Sequence, residues 1–144
     1  MVLLSSLCFN QMAAMDTVAN DTFTDITGTL AATDPDGDAF SYVLTGSSAT
    51  TGMVDFDVQK VSTYGTFLLN TATGAYKFVV NNAAVQALKT TQTATFDVSA
   101  TDGSAASAAQ TITITLNGVN DAPVAVGYSD TIGINQSVTI STLV

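Results

Sequence analysis

The segment Thr111-Ile112-Thr113-Ile114-Thr115-Leu116 alternates polar and apolar side chains without a break. Because successive side chains of a β-strand point to opposite faces of the sheet, this pattern predicts a strand with one face in a core. Thr95 to Ala100 repeats the pattern, with Phe96, Val98 and Ala100 inward. Two clean alternations in this part of the chain indicate a protein built from sheets.

Four shorter segments alternate in the same way and extend the prediction to the rest of the chain. They are Phe40-Tyr42-Leu44, Val54-Phe56-Val58, Tyr64 to Leu69, and Tyr76-Phe78-Val80. Asp55, Asp57 and Asp97 fall at outward positions, where we expect a solvated face. Turn signals separate the segments, and residues 83–88 could form a single helical turn. Short strands at close spacing predict an all-β sandwich of about seven to eight antiparallel strands.

The composition agrees with this fold class and excludes several functions. Among 144 residues there are 24 Thr and 20 Ala, twelve acids that are all Asp, and three bases that are all Lys. The absence of His excludes imidazole catalysis, and the scarcity of positive charge argues against nucleic acid as a partner. The single cysteine, Cys8, excludes an intrachain disulfide. Acids on turns and outward strand positions do not suggest a catalytic pocket, so we expect no enzyme.

The two ends of the chain differ from its body. Residues 1–15 are apolar at first but too short to span a bilayer, and we expect them to lie outside the domain, with no membrane insertion. The domain is predicted over residues 16–123, with a linker at 119–123 around Pro123. Residues 124–144 echo the segment that begins at Val18, at an offset of 106, and are interpreted as the opening strands of a truncated following repeat.

The most informative polar segment is Asp34-Pro35-Asp36-Gly37-Asp38. Pro and Gly at these places are typical of a type I turn, and Asp favours its first position. A turn alone does not require three carboxylates, whereas calcium accepts six to eight oxygen ligands from flexible loops. The pattern is not an EF-hand, because no Glu follows. A calcium site and a plain turn therefore both stay open at this point.

Three longer stretches resemble the VCBS repeat of the bacterial cadherin-like and immunoglobulin-like modules found in RTX-type adhesins. They are GTLAATDPDGDAFSYVL (28–44), YGTFLLNTATGAYKFVV (64–80) and FDVSATDGSAASAAQTITITLNGVNDAPV (96–124). The resemblance covers roughly residues 18 to 126. It implies an immunoglobulin/cadherin-like β-sandwich in tandem arrays, with Ca²⁺ bound at the junctions between repeats.

The resemblance also implies a set of metal ligands. Matched to the cadherin motifs, these are Asp34, Asp36, Asp102, Asn120 and Asp121. Asp38 is a further candidate ligand, because it lies in the same acidic loop as Asp34 and Asp36. If strands alternate direction as in an immunoglobulin-like sandwich, the loops with Asp34 to Asp38 and with Asp102 share one end, and Asn120 and Asp121 lie at the other. We therefore expect two half-sites, each completed by a neighbouring repeat. Asn20 and Asp21 are a further candidate pair for the first half-site.

The function expected from these observations is a structural or adhesive repeat module of a bacterial cell-surface or secreted protein, of the kind that serves cell adhesion and biofilm formation. Its expected partners are neighbouring repeats of the same polypeptide, with a surface glycan or protein receptor as a further possibility. The alternative is a carbohydrate- or protein-binding module attached to a secreted enzyme. Sugar binding usually needs an exposed aromatic platform, yet Tyr42 and Tyr76 are both at inward positions.

Overall fold

The computed structural model describes the backbone of residues 13–15 and all of residues 22–123. Within these residues the chain forms nine β-strands and one short helix. In chain order they are β1 (Ala13–Met15), β2 (Ile26–Thr29), β3 (Ser41–Leu44), β4 (Ser48–Ala49), β5 (Val58–Ser62), β6 (Gly65–Leu69), β7 (Ala75–Val80), α1 (Asn82–Gln86), β8 (Gln92–Thr101) and β9 (Gln110–Asn117). The all-β prediction is confirmed, and the predicted helical turn is α1.

The strands form two sheets that pack face to face. One sheet has the order β1-β9-β8-β3 and the other the order β2-β7-β6-β5-β4. Every pairing is antiparallel except that of β1 with β9, which is parallel. The third strand thus joins the last two in one sheet while the second strand lies in the other, which is the arrangement of an immunoglobulin-like sandwich. The predicted architecture is confirmed.

Aromatic rings from both sheets meet in the middle of the core. Phe67 of β6 stacks on Phe96 of β8 at 4.7 Å between ring centroids and on Tyr76 of β7 at 5.3 Å. Phe78 and Phe96 lie 5.8 Å apart. The alternation in β7, β8 and β9 places these rings and their aliphatic neighbours inward, as predicted. Burial of this apolar surface is what holds the two sheets together.

The predicted strand over residues 54–58 is wrong for most of its length. Residues 50–57 form an irregular loop, β5 begins only at Val58, and Val54 is 98% exposed. The loop folds over the turn between β6 and β7, so that the carbonyl of Asp55 accepts a hydrogen bond from the Asn70 side chain at 2.9 Å. Because a backbone carbonyl of the loop finds its hydrogen-bond partner in a side chain in this way, pairing with an additional strand is not required there.

The segment 1–15, expected to lie outside the domain, contributes to the sheet with its last three residues. Ala13 to Met15 pair in register with Thr115 to Asn117 of β9. The preceding residues, the pair Asn20 and Asp21, and the predicted opening strands at 124–144 all lie outside the described residues. The structure adds this short parallel strand to the edge of the four-stranded sheet.

The sandwich has two ends, which are named here by what they carry. Ser41 at the start of β3 pairs with Thr101 at the end of β8, so the β2–β3 and β8–β9 loops lie at one end, the loop end. The β6–β7 turn joins them there, because the amide of Leu30 donates to the carbonyl of Gly74. Residues 118–123, which follow β9, lie at the opposite end, the linker end, beside the segment that precedes β8. The predicted placement of these loops and of the linker is confirmed.

Candidate functional site

The β2–β3 loop holds three of the predicted ligands in a tight turn. The amide of Gly37 donates to the carbonyl of Asp34 at 3.2 Å, and the amide of Asp36 donates to Oδ1 of Asp34 at 2.8 Å. Gly37 has φ +79°, a value that glycine adopts without strain. Asp34 is half-buried, whereas Asp36 and Asp38 are exposed. Asp34 therefore shapes the turn that presents Asp36 and Asp38.

The β8–β9 loop presents Asp102 in a similar way. Its Oδ1 accepts the amides of Ser104 and Ala105, both at 2.7 Å. The amides of Ala105 and Ser104 favour the charged carboxylate, so they hold the pKa of Asp102 below its ordinary value. This side chain is ionised at neutral pH and fixed to its own loop.

The linker end carries the remaining predicted ligands. Asn120 and Asp121 are exposed, and Oδ2 of Asp121 accepts a hydrogen bond from Nε2 of Gln86 at 2.8 Å. Gln86 belongs to α1, so the linker carboxylate is bound to the body of the module. The sequence contains no signal for this contact, because the two residues are 35 positions apart.

The structure brings the predicted acidic loops to one end without joining their side chains into one cluster. Between residues 22 and 123, no three acidic side chains come close enough together to hold a metal ion. The charge is nevertheless uneven, since six of the nine acids in this range lie in loop-end segments: Asp34, Asp36, Asp38, Asp55, Asp57 and Asp102. The three lysines lie in β5, in β7 and after α1. The loop end is therefore strongly acidic.

The loop end has a second polar feature, which the sequence did not predict. It lies where the 50–57 loop meets the β6–β7 turn. A cavity of about 410 Å³ lies there, between that loop and residues Asn70 and Ala72. Its polar wall is held by internal bonds: Oδ1 of Asp57 accepts the amide of Thr71 at 2.7 Å, and Oδ2 accepts the Thr71 hydroxyl. Oδ1 of Asn70 accepts the amides of Ala72 and Thr73. These bonds hold the 50–57 loop against the β6–β7 turn, and the two segments, residues 50–57 and 70–74, are together called the floor of the loop end below.

The ionisation of Asp57 follows from those contacts. Partial burial on its own would raise the pKa of the carboxyl, but the hydroxyl and the amide of Thr71 outweigh it and lower the pKa. Asp57 was expected to be an outward strand residue on a solvated face. It is exposed, but it lies in the loop and makes specific bonds there. Asp97, expected in the same role, does lie outward on β8.

The fold is an immunoglobulin-like sandwich module with an acidic loop end and, opposite to it, the end from which residues 118–123 leave. The model of the bacterial cadherin-like domain matches residues 11–118. The chain belongs to this family, which confirms the bacterial cadherin-like part of the resemblance seen in the sequence. No curated protein matches the chain. Among the described residues, no helix is long and apolar enough to cross a membrane.

Proposed function

We propose that this protein is a spacer module of a bacterial surface or secreted adhesin, stacked end to end with neighbouring repeats of the same polypeptide. As a bacterial cadherin-like domain it is a structural or adhesive module. The observation that carries the finer proposal is the opposition of the two ends, because the acidic loops lie at one end and the linker leaves from the other. In a tandem array, the linker of one module then reaches the acidic loops of the next.

Calcium at the junctions is part of this proposal. The donor atoms fit, since carboxylate and amide oxygens are the ligands that calcium prefers. The described acids form no complete site by themselves, so the proposal is two half-sites, each completed by a neighbouring module. The loop end would supply Asp34, Asp36, Asp38 and Asp102, and the linker end would supply Asn120 and Asp121. A bound calcium ion would offset the repulsion among these carboxylates and restrict the junction.

The location and the kind of parent protein are also proposed. Modules of this family are typically extracellular or at the cell surface, and they are generally not enzymes. An RTX-type adhesin that serves biofilm formation is a setting in which an acidic module would meet calcium. Extracellular calcium modules bind with dissociation constants of about 10⁻⁴ to 10⁻³ M. The junctions would therefore fill outside the cell.

The alternative role is that of a carbohydrate- or protein-binding module attached to a secreted enzyme. An exposed aromatic platform, which sugar binding generally uses, is not formed by Tyr42 or Tyr76, because both are buried. The spacer role is therefore preferred. Binding of the full chain to a glycan array at fixed calcium would favour the binding module instead.

Thermal unfolding of the 144-residue chain in 10 mM calcium and in excess chelator, at matched ionic strength, tests the calcium part of the proposal. A ligand that binds the folded state alone stabilises it, by about 1.4 kcal/mol at ten times its dissociation constant. We expect a rise of a few degrees in Tm and millimolar affinity by isothermal titration. Submicromolar binding would contradict the half-sites, because a lone module would then hold a complete one.

Two matched variants assign the effect to residues. Asp36→Asn removes a proposed ligand, and we expect it to reduce the calcium-dependent rise in Tm. Asp97→Asn makes the same change on the exposed face of β8 and should leave that rise unaltered. Equal responses of both variants, or no calcium effect at all, would overturn the calcium proposal and leave the structural role in place.

A further inference from the structure

The segment that follows β7 touches the beginning of the linker at two points. This segment, residues 82–88, is called the clamp segment below; it contains α1 and leads into β8. Gly118, the first residue after β9, lies against Leu88 at its end, and Asp121 is bound by Gln86 within it. The two contacts lie three residues apart along the outgoing chain. A segment fixed at one point can rotate about that contact, whereas two contacts fix the direction in which the segment leaves the module.

The first contact depends on the absence of a side chain. A methyl group on Gly118 would lie 2.2 Å from Cβ of Leu88 and 2.8 Å from its carbonyl carbon and oxygen. These are mostly backbone atoms, which cannot rotate away as a flexible side chain could. Leu88 in turn donates its amide to the carbonyl of Val85, which is fully buried. The outgoing chain is thus pressed against a part of the module that is tied to the core.

The second contact is a charge-assisted hydrogen bond. Nε2 of Gln86 donates to the Asp121 carboxylate at 2.8 Å. Its α1 anchor is itself fixed at the start, because Oδ1 of Asn82 accepts the amide of Phe23 at 2.6 Å and Oδ1 of Asn81 caps the helix at the amide of Ala84. The donor of this bond therefore belongs to a supported element.

From these contacts we propose that the clamp segment sets the direction in which the linker leaves the module, without any metal. The inference rests on the proposed spacer function, because the direction of a linker matters only where another module follows. It adds to that function a metal-independent contribution to the angle between successive modules. Gln86 and Gly118 are its positioning residues.

Backbone ¹⁵N relaxation of the full 144-residue chain, recorded in excess chelator, tests the clamp. In the unaltered chain we expect order parameters at Val119 to Asp121 near the rigid value of about 0.85. Gln86→Leu removes the donor and should bring them below about 0.6 while the β8 and β9 values stay unchanged. Gln110→Leu makes the same substitution at an exposed position at the far end of β9 and should leave the linker values as they were.

Two further variants make the result specific. Asp121→Ala removes the acceptor of the same bond and should also lower the order parameters of the linker, and the double variant should have less than the summed effect of the two single variants, because both remove one shared bond. Gly118→Ala should mobilise the same residues by a separate route.

Linker order parameters below about 0.6 in the unaltered chain, or equal profiles for Gln86→Leu and Gln110→Leu, would overturn the clamp. If calcium alone ordered the linker, the clamp would fail while the calcium part of the spacer function stood. If the linker were ordered in chelator and calcium had no effect on Tm, the clamp would stand while the calcium part failed.

Discussion

The two ends of the sandwich are held together in different ways. At the loop end, the acidic loops are closed by bonds between near neighbours: Asp34 binds an amide two residues on, and Asp102 binds amides two and three residues on. At the linker end, the contacts span the chain, with Phe23 bound to Asn82 across 59 residues and Gln86 bound to Asp121 across 35. The turns that present Asp34 and Asp102 are thus shaped locally, whereas the linker end, like the β6–β7 turn beneath the acidic loops, is held by bonds between distant segments.

Because of this difference, we expect one set of residues to determine the stability of the module and another set to determine its contact with a neighbouring module. A loop closed by its own amides keeps its shape without support from the core, and it can therefore present carboxylates to a neighbour. Contacts between distant segments restrict the unfolded chain far more when they form, so they contribute to the cooperativity of the fold. We expect substitutions at the linker end and at the floor of the loop end to reduce stability, and substitutions in the acidic loops to affect mainly the encounter with another module.

Gly74→Ala should cause the largest loss of stability. Gly74 belongs to the β6–β7 turn, in the floor of the loop end. It is buried with φ +75°, and an added methyl group would lie 2.7 Å from Cε2 of Tyr42 and 3.0 Å from the carbonyl oxygen of Leu30. Backbone strain and overpacking together predict a loss of about 2–4 kcal/mol in the free energy of unfolding, measured in urea. Gly103→Ala is the matched control, since Gly103 has φ +90° but open space around it. A loss of about 1–2 kcal/mol is expected there from strain alone. Equal losses would mean that the acidic loops are tied to the core after all.

Asn82→Ala tests the linker end directly. It removes the oxygen that accepts the amide of Phe23, leaving a partly buried donor without that partner, and the expected loss is about 1–3 kcal/mol in urea unfolding. Asp102→Ala also removes an oxygen that accepts backbone amides, but at the loop end and within one turn. We expect the Asp102 variant to lose clearly less stability. The reverse order would contradict the contrast between the two ends.

The longest strands could be predicted because their alternation continues over many residues. In β8 and β9, Phe96, Ile112 and Ile114 are buried as expected, since only an extended chain at a core surface gives this period. Val54 and Phe56 show the same period over too short a stretch to be decisive. There the chain turns at Gly52, with φ +74°, and lies across the β6–β7 turn instead. Strands as short as β2 and β4 carry too few residues for the pattern to appear.

The position of each candidate ligand in the fold could be predicted from the sequence, but its hydrogen-bond partners could not. Alternating strand directions were enough to place Asp34 and Asp102 at one end and Asp121 at the other. The partners of these carboxylates depend on the backbone angles of each loop and on which distant segment passes nearby. The bond from Gln86 to Asp121 and the bond from Thr71 to Asp57 both arise in that way. Residue type and spacing along the chain do not contain this information.

The floor of the loop end should show in the pH dependence of stability through Asp57. Because its pKa is lowered in the folded protein, the unfolded chain takes up the proton first as the pH falls. The stabilisation is therefore complete above the unfolded pKa of about 3.9 and declines below it. Asp57→Asn should unfold at a lower Tm than the unaltered chain at neutral pH, and the gap should narrow near about pH 3. Asp55→Asn is the matched control for the substitution, because it lies in the same loop and accepts the bond from Asn70 through its backbone carbonyl rather than its side chain. A gap that stays constant down to acid pH would show that the charge of Asp57 is irrelevant.

The smallest loss of stability is expected from removal of the ion pair at the linker end. This variant tests whether electrostatic attraction or contact between distant segments holds that end together. Nζ of Lys77 lies 2.9 Å from Oδ2 of Asp25, with both side chains about one-third exposed. Pairs exposed to water contribute about 0–1 kcal/mol, and Oδ1 of Asp25 also accepts the amide of Val80, a bond that survives loss of the lysine. Lys77→Met, which keeps the apolar stem, should therefore cost less than about 1 kcal/mol and lose part of its effect at high salt. Lys60→Met is the matched control, because Nζ of Lys60 donates to the carbonyl of Thr45 rather than to a carboxylate. A salt-sensitive loss at Lys77 as large as that of Asn82→Ala would mean that electrostatic attraction, and not contact between distant segments, secures the end from which the linker leaves.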